Sequence, residues 1–350
     1  MWLPKFYAEA KMTNQRTKIA LNGFGRIGRS ILRLLTTTRA GEEFDLVMIN
    51  DIAPIETCAY LFQYDSVFGP FPGSVSFGSN AIVIDGKTIP FHGRADIGEL
   101  DLNGVDLVLE CTGTAETRGI AERGLDAGAR RVLISGPSKA ADVTVVMGAN
   151  DSDLSDQKIV SNASCTTNAL APLLKLLDDQ FGVVSGHMTT VHCYTGSQPT
   201  VDKPRGDFAR SRAAALSMVP TTTSAQKLVD QVLPKLKGRI EARAIRVPVA
   251  SVSAIDLTVQ TASKVTAESV NDAFRAAQST ILGVTAQPLV SSDLRGRPES
   301  LILCTAETSV SVGGLLRVFG WYDNEWGFSN RMLDMAHLMA KSKGQKNVRD

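Results

Sequence analysis

The chain is expected to fold as an α/β protein, with a doubly wound parallel sheet followed by an α+β unit over an open antiparallel or mixed sheet. Three observations carry that expectation. In the first half, short near-continuous apolar runs alternate with helical patterns, as strands buried on both faces do. A glycine-rich turn, Gly23, Gly25 and Gly28, stands between the first apolar run and the first helical pattern. After residue 165 the apolar runs lengthen and partly alternate, the habit of half-exposed antiparallel strands.

Taken in order, residues 1–17 hold Trp2, Lys5 and Lys11 but no apolar core segment, so they are expected to be a disordered extension. They do not read as a secretory signal, and Met12 is an alternative start. Lys18 to Leu21 is a short strand, and Arg26 to Thr37 a helix with Ile27, Ile31, Leu34 and Leu35 on one face. Phe44 to Asn50 is the next strand. Ser74 to Phe91 holds alternating runs around Asn80 and Asp85-Gly86, which suggests an inserted hairpin. Val105 to Cys111, Arg131 to Ser135 and Val143 to Met147 are further strands, with a crossover helix over Ala115 to Ala127. Residues 18–164 are therefore expected to form one domain. In the second half, Val183 to Tyr194, Ile245 to Gln260 and Leu315 to Trp321 read as strands, separated by helices near 224–237 and 266–280. A striped helix from Phe328 to Lys341 is expected to return from the second domain (165–327) to the first. Lys341, Lys343, Lys346 and Arg349 make a basic, solvated end, within residues 328–350.

Composition excludes several function classes. The 350 residues are enough for one large or two medium domains, and the net charge of +1 gives no reason to expect nucleic acid or a membrane surface as partner. No apolar run approaches the roughly 18 residues of a spanning helix. Five scattered cysteines and four histidines, without a C-x-x-C pair, argue against a disulfide framework or a metal site and for the reducing cytoplasm.

The glycine turn sits between strand and helix, and the acidic Asp51 closes the following strand. Gly23 suits the tight turn, Gly25 lets backbone approach a pyrophosphate, and Gly28 packs helix on strand; the helix N-terminus then faces the diphosphate. This context, and not the glycines alone, predicts a dinucleotide site in a Rossmann-type sheet.

The other chemical signal is Ser161-Asn-Ala-Ser-Cys165-Thr-Thr-Asn168, ahead of a helical face of Leu170, Leu173, Leu174, Leu176 and Leu177 starting near Thr167. A thiol at a helix N-terminus feels the positive end of the dipole, which favours the nucleophilic thiolate. Taken alone, the segment is better read as a Ser/Thr cap around a buried cysteine, and the rest of the chain reverses that preference.

With Asn22-Gly-Phe-Gly-Arg-Ile-Gly28, Asn50-Asp51, Tyr64-Asp-Ser66, Glu110-Cys-Thr-Gly113, Ser161 to Asn168, Thr189-Thr-Val-His192, Arg212-Ala-Ala-Ala215, Arg246-Val-Pro248 and Trp321 to Gly327 together, the chain resembles the phosphorylating glyceraldehyde-3-phosphate dehydrogenases beyond its N-terminal extension. The resemblance implies Cys165 as the nucleophile that adds to an aldehyde and His192 as its base. It implies NAD as cofactor, a thioester intermediate, and its cleavage by inorganic phosphate. Thr195 and Arg246 would hold the phosphate of a sugar phosphate, with Arg210 assisting. Ser164, Thr166, Thr223 and Ser224 would form a second phosphate pocket. Arg26 and Ile27 would meet the pyrophosphate, Asp51 the adenosine ribose, and Arg94, Thr112 and Ser135 the cleft wall. Asn324 would hold the nicotinamide amide. The family also suggests a homotetramer.

Some positions depart from the family's usual residues: Ser197 for Asp, Ser224 for Gly, Phe68 for His, Phe328 for Tyr, and Asp293-Leu294-Arg295 for Asp-Phe-Asn. All but Phe328 are expected near the substrate end. Two alternatives follow, a dehydrogenase of erythrose 4-phosphate that hydrolyses its thioester, and an NAD-binding relative without the reaction. His192 and Cys165 are expected to act as a pair that lowers the thiol pKa.

Overall fold

The structure, a computed structural model, describes residues 16–342. Residues 1–15 of the expected extension and the basic residues Lys343, Lys346 and Arg349 therefore fall outside the described residues, while Thr17 is already part of the first strand. The order begins β1 (Thr17–Asn22), α1 (Arg26–Thr37), β2 (Phe44–Asn50), α2 (Ile55–Gln63), β3 (Val75–Phe77), β4 (Ala81–Ile84) and β5 (Lys87–His92). It continues through β6 (Leu107–Glu110), α3 (Arg118–Ala121), α4 (Arg123–Asp126), β7 (Val132–Ile134), β8 (Val143–Thr144) and β9 (Ile159–Ser161). These strands form a nine-stranded sheet in the order β3-β4-β5-β2-β1-β6-β7-β9-β8. All pairings from β5 to β8 are parallel. β1 lies between β2 and β6, where the winding reverses, so a crevice opens at the carboxyl ends of these strands.

The expected hairpin over Ser74 to Phe91 is a three-stranded excursion. Asp85 and Gly86 turn with φ of 46° and 81°, and β5 then returns to pair parallel with β2. The expected helix over Ala115 to Ala127 is two single turns. It packs so tightly on β6 that a Cβ at Gly124 would stand 3.0 Å from the Val108 side chain. The glycines that allow this approach also weaken helix continuity. The expected strand Val143 to Met147 pairs only through Val143 and Thr144. At Val146 the backbone N–H donates instead to the Asn150 side chain (2.8 Å), which ends the ladder.

The second half contributes α5 (Cys165–Phe181), β10 (Val183–Cys193), β11 (Val219–Thr221), α6 (Ala225–Val232), β12 (Ile240–Val247) and β13 (Ser253–Thr261). There follow α7 (Ala267–Ala276), β14 (Leu282–Thr285), β15 (Leu301–Cys304), β16 (Ser309–Val310), β17 (Leu315–Tyr322) and α8 (Trp326–Lys341). The sheet runs β11-β12-β10-β13-β17-β15-β14, with β16 beside β17. It is mixed, because β10–β12 and β14–β15 are parallel pairs among antiparallel ones. The single strand expected over Ile245 to Gln260 is two. β12 stops before Pro248, which has no N–H to give a ladder, and β13 pairs with β10 on its other side.

Two large cores hold these units. Leu170, Leu173, Leu174 and Leu177 on α5 join Met188, Ile255, Leu257 and Val318 of the mixed sheet. Phe328, Met332, Leu333, Met335 and Met339 on α8 pack with Ile31, Leu34 and Phe62 of the first unit. Cys165 touches both cores at their meeting point. Among the described residues no helix is long and apolar enough to cross a membrane.

Candidate active site

Two crevices matter to the site, and Cys165, packed against both cores, stands between the units that hold them. One lies at the carboxyl ends of the parallel sheet. There Gly23 has φ +93° and a Cβ on it would meet the Cys111 carbonyl carbon at 2.6 Å, so only glycine fits. A Cβ at Gly28 would stand 2.2 Å from the Gly23 carbonyl oxygen, the close helix–strand approach expected of it. Around the Cβ position of Gly25, the N-cap of α1, there is open space within 4 Å. Backbone N–H groups of Arg26 and Ile27 lie in that first helical turn, the usual place for a diphosphate. These residues therefore fit a dinucleotide.

Asp51 stands beside the turn, where its carboxylate accepts from Phe24 N–H (2.6 Å) and Ala53 N–H (2.8 Å). Asn50 ties the Arg94 backbone to the same edge through two bonds of 2.9 Å, whereas the Arg94 side chain reaches out to Glu99. Thr112 and Ser135 follow β6 and β7 on the same side, both anchored to Glu110 by their backbone N–H groups (2.9 Å each). The Arg26 guanidinium is bonded to Asp65 and to Glu325, with Nε 2.9 Å from Glu325 Oε1, so it ties the glycine turn to the segment before α8. This clamp was not foreseen, and it leaves the backbone of Arg26 as the group free to face a diphosphate.

The thiol is set by a strand–turn–helix. After β9, Ala163 adopts φ +55°, a left-handed conformation that is costly outside glycine, and the chain turns into α5 with Cys165 as its first residue. Ser164 caps the helix, its Oγ accepting from Thr167 N–H at 3.1 Å. Asn168 Nδ2 donates back to the carbonyls of Asn162 (2.7 Å) and Ser164 (3.1 Å), which holds the turn. Thr166 is buried, with its hydroxyl 2.9 Å from the Tyr322 phenol oxygen; Thr190 lies 2.8 Å from the same atom. Tyr322, missed as a scaffold residue, thus joins α5, β10 and β17. It sits inside the motif Trp321 to Gly327, and its alternation with inward-facing β17 positions was the available signal.

His192, near the end of β10, brings Nε2 to 3.7 Å from Cys165 Sγ. The parallel register sets Arg246 of β12 opposite it. Arg246 Nη1 lies 2.7 Å from His192 Nδ1, and the Cys193 carbonyl oxygen is also 2.7 Å from that nitrogen. Burial and the nearby Arg246 charge push the His192 pKa down from 6.5 to about 4. Burial also pushes the Cys165 thiol up, against the opposing influence of Arg246 and the helix-end N–H groups. This corrects the expectation of a lowered thiol pKa: the meeting of two apolar cores outweighs the helix end. The other cysteines are raised as well, Cys58 and Cys304 to about 11 and Cys111 and Cys193 to about 12, each chiefly by burial. Asn324 is buried beside this pair, where its Oδ1 accepts from Cys193 Sγ (3.1 Å).

The second crevice is a cavity of about 280 Å³ lined by Ser197, Gln198, Arg205, Arg210, Thr221 and Arg246, among others. Thr195 borders it through a 2.9 Å contact between its hydroxyl and that of Ser197. Arg210 donates to the Thr222 carbonyl (3.2 Å). Thr223 Oγ1 accepts from Ala225 N–H at 3.2 Å, and Ser224 stands at the N-cap position of α6 with φ −71° and no side-chain capping bond, so serine is unstrained there. Arg205 and Gln198 were not foreseen, since their loop has no periodicity to read, and Thr221 was not because β11 is only three residues long.

Two of the departures lie elsewhere than expected. Phe68 and Arg295 line a different cavity of about 590 Å³, with Arg33, Thr37 and Trp326, beside α1. Phe68 packs on Trp326 at 5.1 Å between ring centroids, and Arg295 donates to the Val67 carbonyl (3.0 Å). Phe328 is buried in the core against α1.

Two family models match the chain: glyceraldehyde 3-phosphate dehydrogenase, NAD binding domain, over residues 17–118, and the C-terminal domain of the same enzyme over residues 164–324. Similar proteins include the glyceraldehyde-3-phosphate dehydrogenase of Xanthobacter flavus, 47% identical over 332 residues, which are 93% of this chain and 98% of that protein. The protein of that name from Cereibacter sphaeroides is 46% identical over 93% of this chain and 98% of its own length. That from Zymomonas mobilis is 47% identical over 93% and 99%.

Proposed function

We propose that this chain, which belongs to the glyceraldehyde-3-phosphate dehydrogenase family and is an NAD-dependent oxidoreductase, oxidises glyceraldehyde 3-phosphate with inorganic phosphate to 1,3-bisphosphoglycerate. The observation that carries this reading is the Cys165 sulfur 3.7 Å from His192 Nε2, with Arg246 paired opposite His192 at the edge of a cationic cavity. In the proposed reaction the Cys165 sulfur bonds to the aldehyde carbon, and its proton passes by way of His192. His192 then takes the proton of the resulting hydroxyl as that carbon is oxidised to a thioester. Bound NAD supplies the hydride acceptor for this oxidation. Inorganic phosphate attacks the thioester carbon, the carbon–sulfur bond breaks, and the thiolate leaves with an acyl phosphate as product.

Arg246, Arg210 and Thr195 hold the substrate phosphate in this reading, because a guanidinium forks to two phosphate oxygens. Ser164, Thr166, Thr223 and Ser224 receive the attacking phosphate; for Thr166 the backbone N–H is the available donor, its hydroxyl being bonded to Tyr322. Gly23, Gly25, Arg26, Ile27, Gly28, Asp51, Arg94, Thr112, Ser135 and Asn324 hold the cofactor. Residues 18–164 bind NAD, residues 165–327 carry the chemistry, and residues from 328 return to the first unit; the working assembly is a cytoplasmic homotetramer in glycolysis and gluconeogenesis. The test is the rate of NADH formation from glyceraldehyde 3-phosphate and from erythrose 4-phosphate, each with and without phosphate. Phosphate-dependent oxidation of the three-carbon sugar is expected. An equal steady-state rate without phosphate would assign hydrolysis instead.

A further inference from the structure

We infer that Cys193 and Ser253 are positioning residues for the cofactor: together they hold the Asn324 amide with its oxygen turned inward, so that its N–H groups face the nicotinamide. The inference rests on the proposed contact of Asn324 with the nicotinamide amide and concerns what orients that contact. An asparagine side chain ends in one acceptor and one two-proton donor of nearly the same shape, so its amide can turn over at little steric cost. The neighbours of one end decide which end meets a ligand.

Strand register assembles those neighbours. β13 lies between β10 and β17, with Val191 opposite Ala254 and Ser253 opposite Tyr322. The end of β10, the start of β13 and the residues just past β17 are thereby brought together. Cys193 Sγ donates to Asn324 Oδ1 at 3.1 Å, and Ser253 Oγ donates to the same oxygen at 3.4 Å. Ser253 Oγ itself accepts from the Cys193 N–H (3.1 Å), which leaves the hydroxyl proton for Asn324. All three residues are buried. Burial pushes the Cys193 thiol up to about 12, so it stays a donor at neutral pH. Sulfur is a weak acceptor, and turning the amide over would set an N–H against it in place of the carbonyl oxygen.

The backbone beside Asn324 is fixed by other bonds. The Asp323 carboxylate accepts from the N–H groups of Glu325 (3.0 Å), Trp326 (2.9 Å) and Gly296 (2.9 Å). What these bonds leave free is the turning of the Asn324 amide, and Cys193 and Ser253 remove that freedom. Asn324 Nδ2 has no hydrogen-bond partner among the described residues, yet it is not sealed from solvent. Its protons are left for a carbonyl oxygen such as that of the nicotinamide amide.

The test is calorimetric titration, without aldehyde, with NAD and with ADP-ribose, which keeps the adenosine and the diphosphate but lacks the nicotinamide. Cys193→Ala and Ser253→Ala should each weaken NAD binding about fivefold, which corresponds to about 1 kcal/mol, and leave ADP-ribose binding unchanged. Cys193→Ser keeps a donor and should restore NAD binding. Equal weakening of both ligands in Cys193→Ala would mean a merely structural role, and unchanged NAD binding would mean that the thiol orients nothing. Either result overturns the inference, even if Ser253→Ala fails to fold. Asn324→Ala separates the inference from the contact it rests on. A loss of NAD affinity in Asn324→Ala, with none in Cys193→Ala, overturns the inference and leaves the contact standing. No loss specific to NAD in any of these variants overturns both.

Discussion

His192→Gln tests the electrostatics at the centre of the site. His192 is 5% exposed, with Arg246 against its Nδ1, the Cys165 thiol against its Nε2 and the Tyr322 ring edge-on at 6.0 Å. Its pKa falls from 6.5 to about 4 on folding, a difference of about 2.5 pH units at about 1.36 kcal/mol each, or about 3 kcal/mol in all. The sign follows from proton binding. Between these two pKa values the unfolded chain binds a proton that the folded chain refuses, so stability rises with pH across the window and is lost as pH falls through it. Integrated, the loss relative to pH 7.5 is about 1.3 kcal/mol at pH 5.5 and about 2.5 kcal/mol at pH 4.5. Urea denaturation of the wild type and His192→Gln at these three pH values isolates the contribution, because the remaining groups are common to both. The stability difference should shift against the wild type by those amounts on acidification. A shift in the opposite direction would mean that an imidazolium pairs with a Cys165 thiolate, and parallel curves would mean that the ring is not held neutral. Either result is incompatible with a buried, neutral His192.

Cys165→Ser should abolish oxidation while NAD still binds, and iodoacetamide should label Cys165 before the other four; peptide mapping that finds Cys58 or Cys304 first would reject the assignment. Tyr322→Phe removes the oxygen shared by Thr166 and Thr190, both buried, and is expected to cost about 1–3 kcal/mol of stability with a fall in kcat larger than the change in KM, measured by urea midpoint and steady-state kinetics. Asp51 should make NAD the preferred cofactor over NADP, and Asp51→Ala should reduce that preference about tenfold, the worth of a charge-assisted bond of about 1.5 kcal/mol; comparable kcat/KM for both cofactors in the wild type would refute it.

The parts of the fold legible in the sequence are those governed by local periodicity. α1 and β2 have the boundaries that their apolar spacing implies, and the glycine turn between β1 and α1 has its backbone demands written in the residues themselves. The losses occur where tertiary contacts replace local ones. Ile159 to Ser161 is too short to signal a strand, yet it pairs with β7 and aims the chain at Cys165. Ile245 to Gln260 reads as one apolar run because strands on either side of β10 share composition, and only Pro248 hints at the break. For the site, Cys165 and His192 stand out through their motifs, but the pairing of Arg246 with His192 is a matter of strand register. The raised thiol pKa follows from two cores closing around one sulfur, which no short window of sequence contains. Phe68 and Arg295 are far apart in the chain and meet only in the cavity beside α1.

In the proposed reaction Cys165 carries an acyl group which phosphate removes. Mixing the protein with NAD and glyceraldehyde 3-phosphate in the absence of phosphate, quenching in acid and mapping peptides by mass should place one phosphoglyceryl group on Cys165. A chase with inorganic phosphate should then discharge it as an acyl phosphate much faster than water does. An acyl group on another residue, or discharge at the same rate with and without phosphate, would contradict the account.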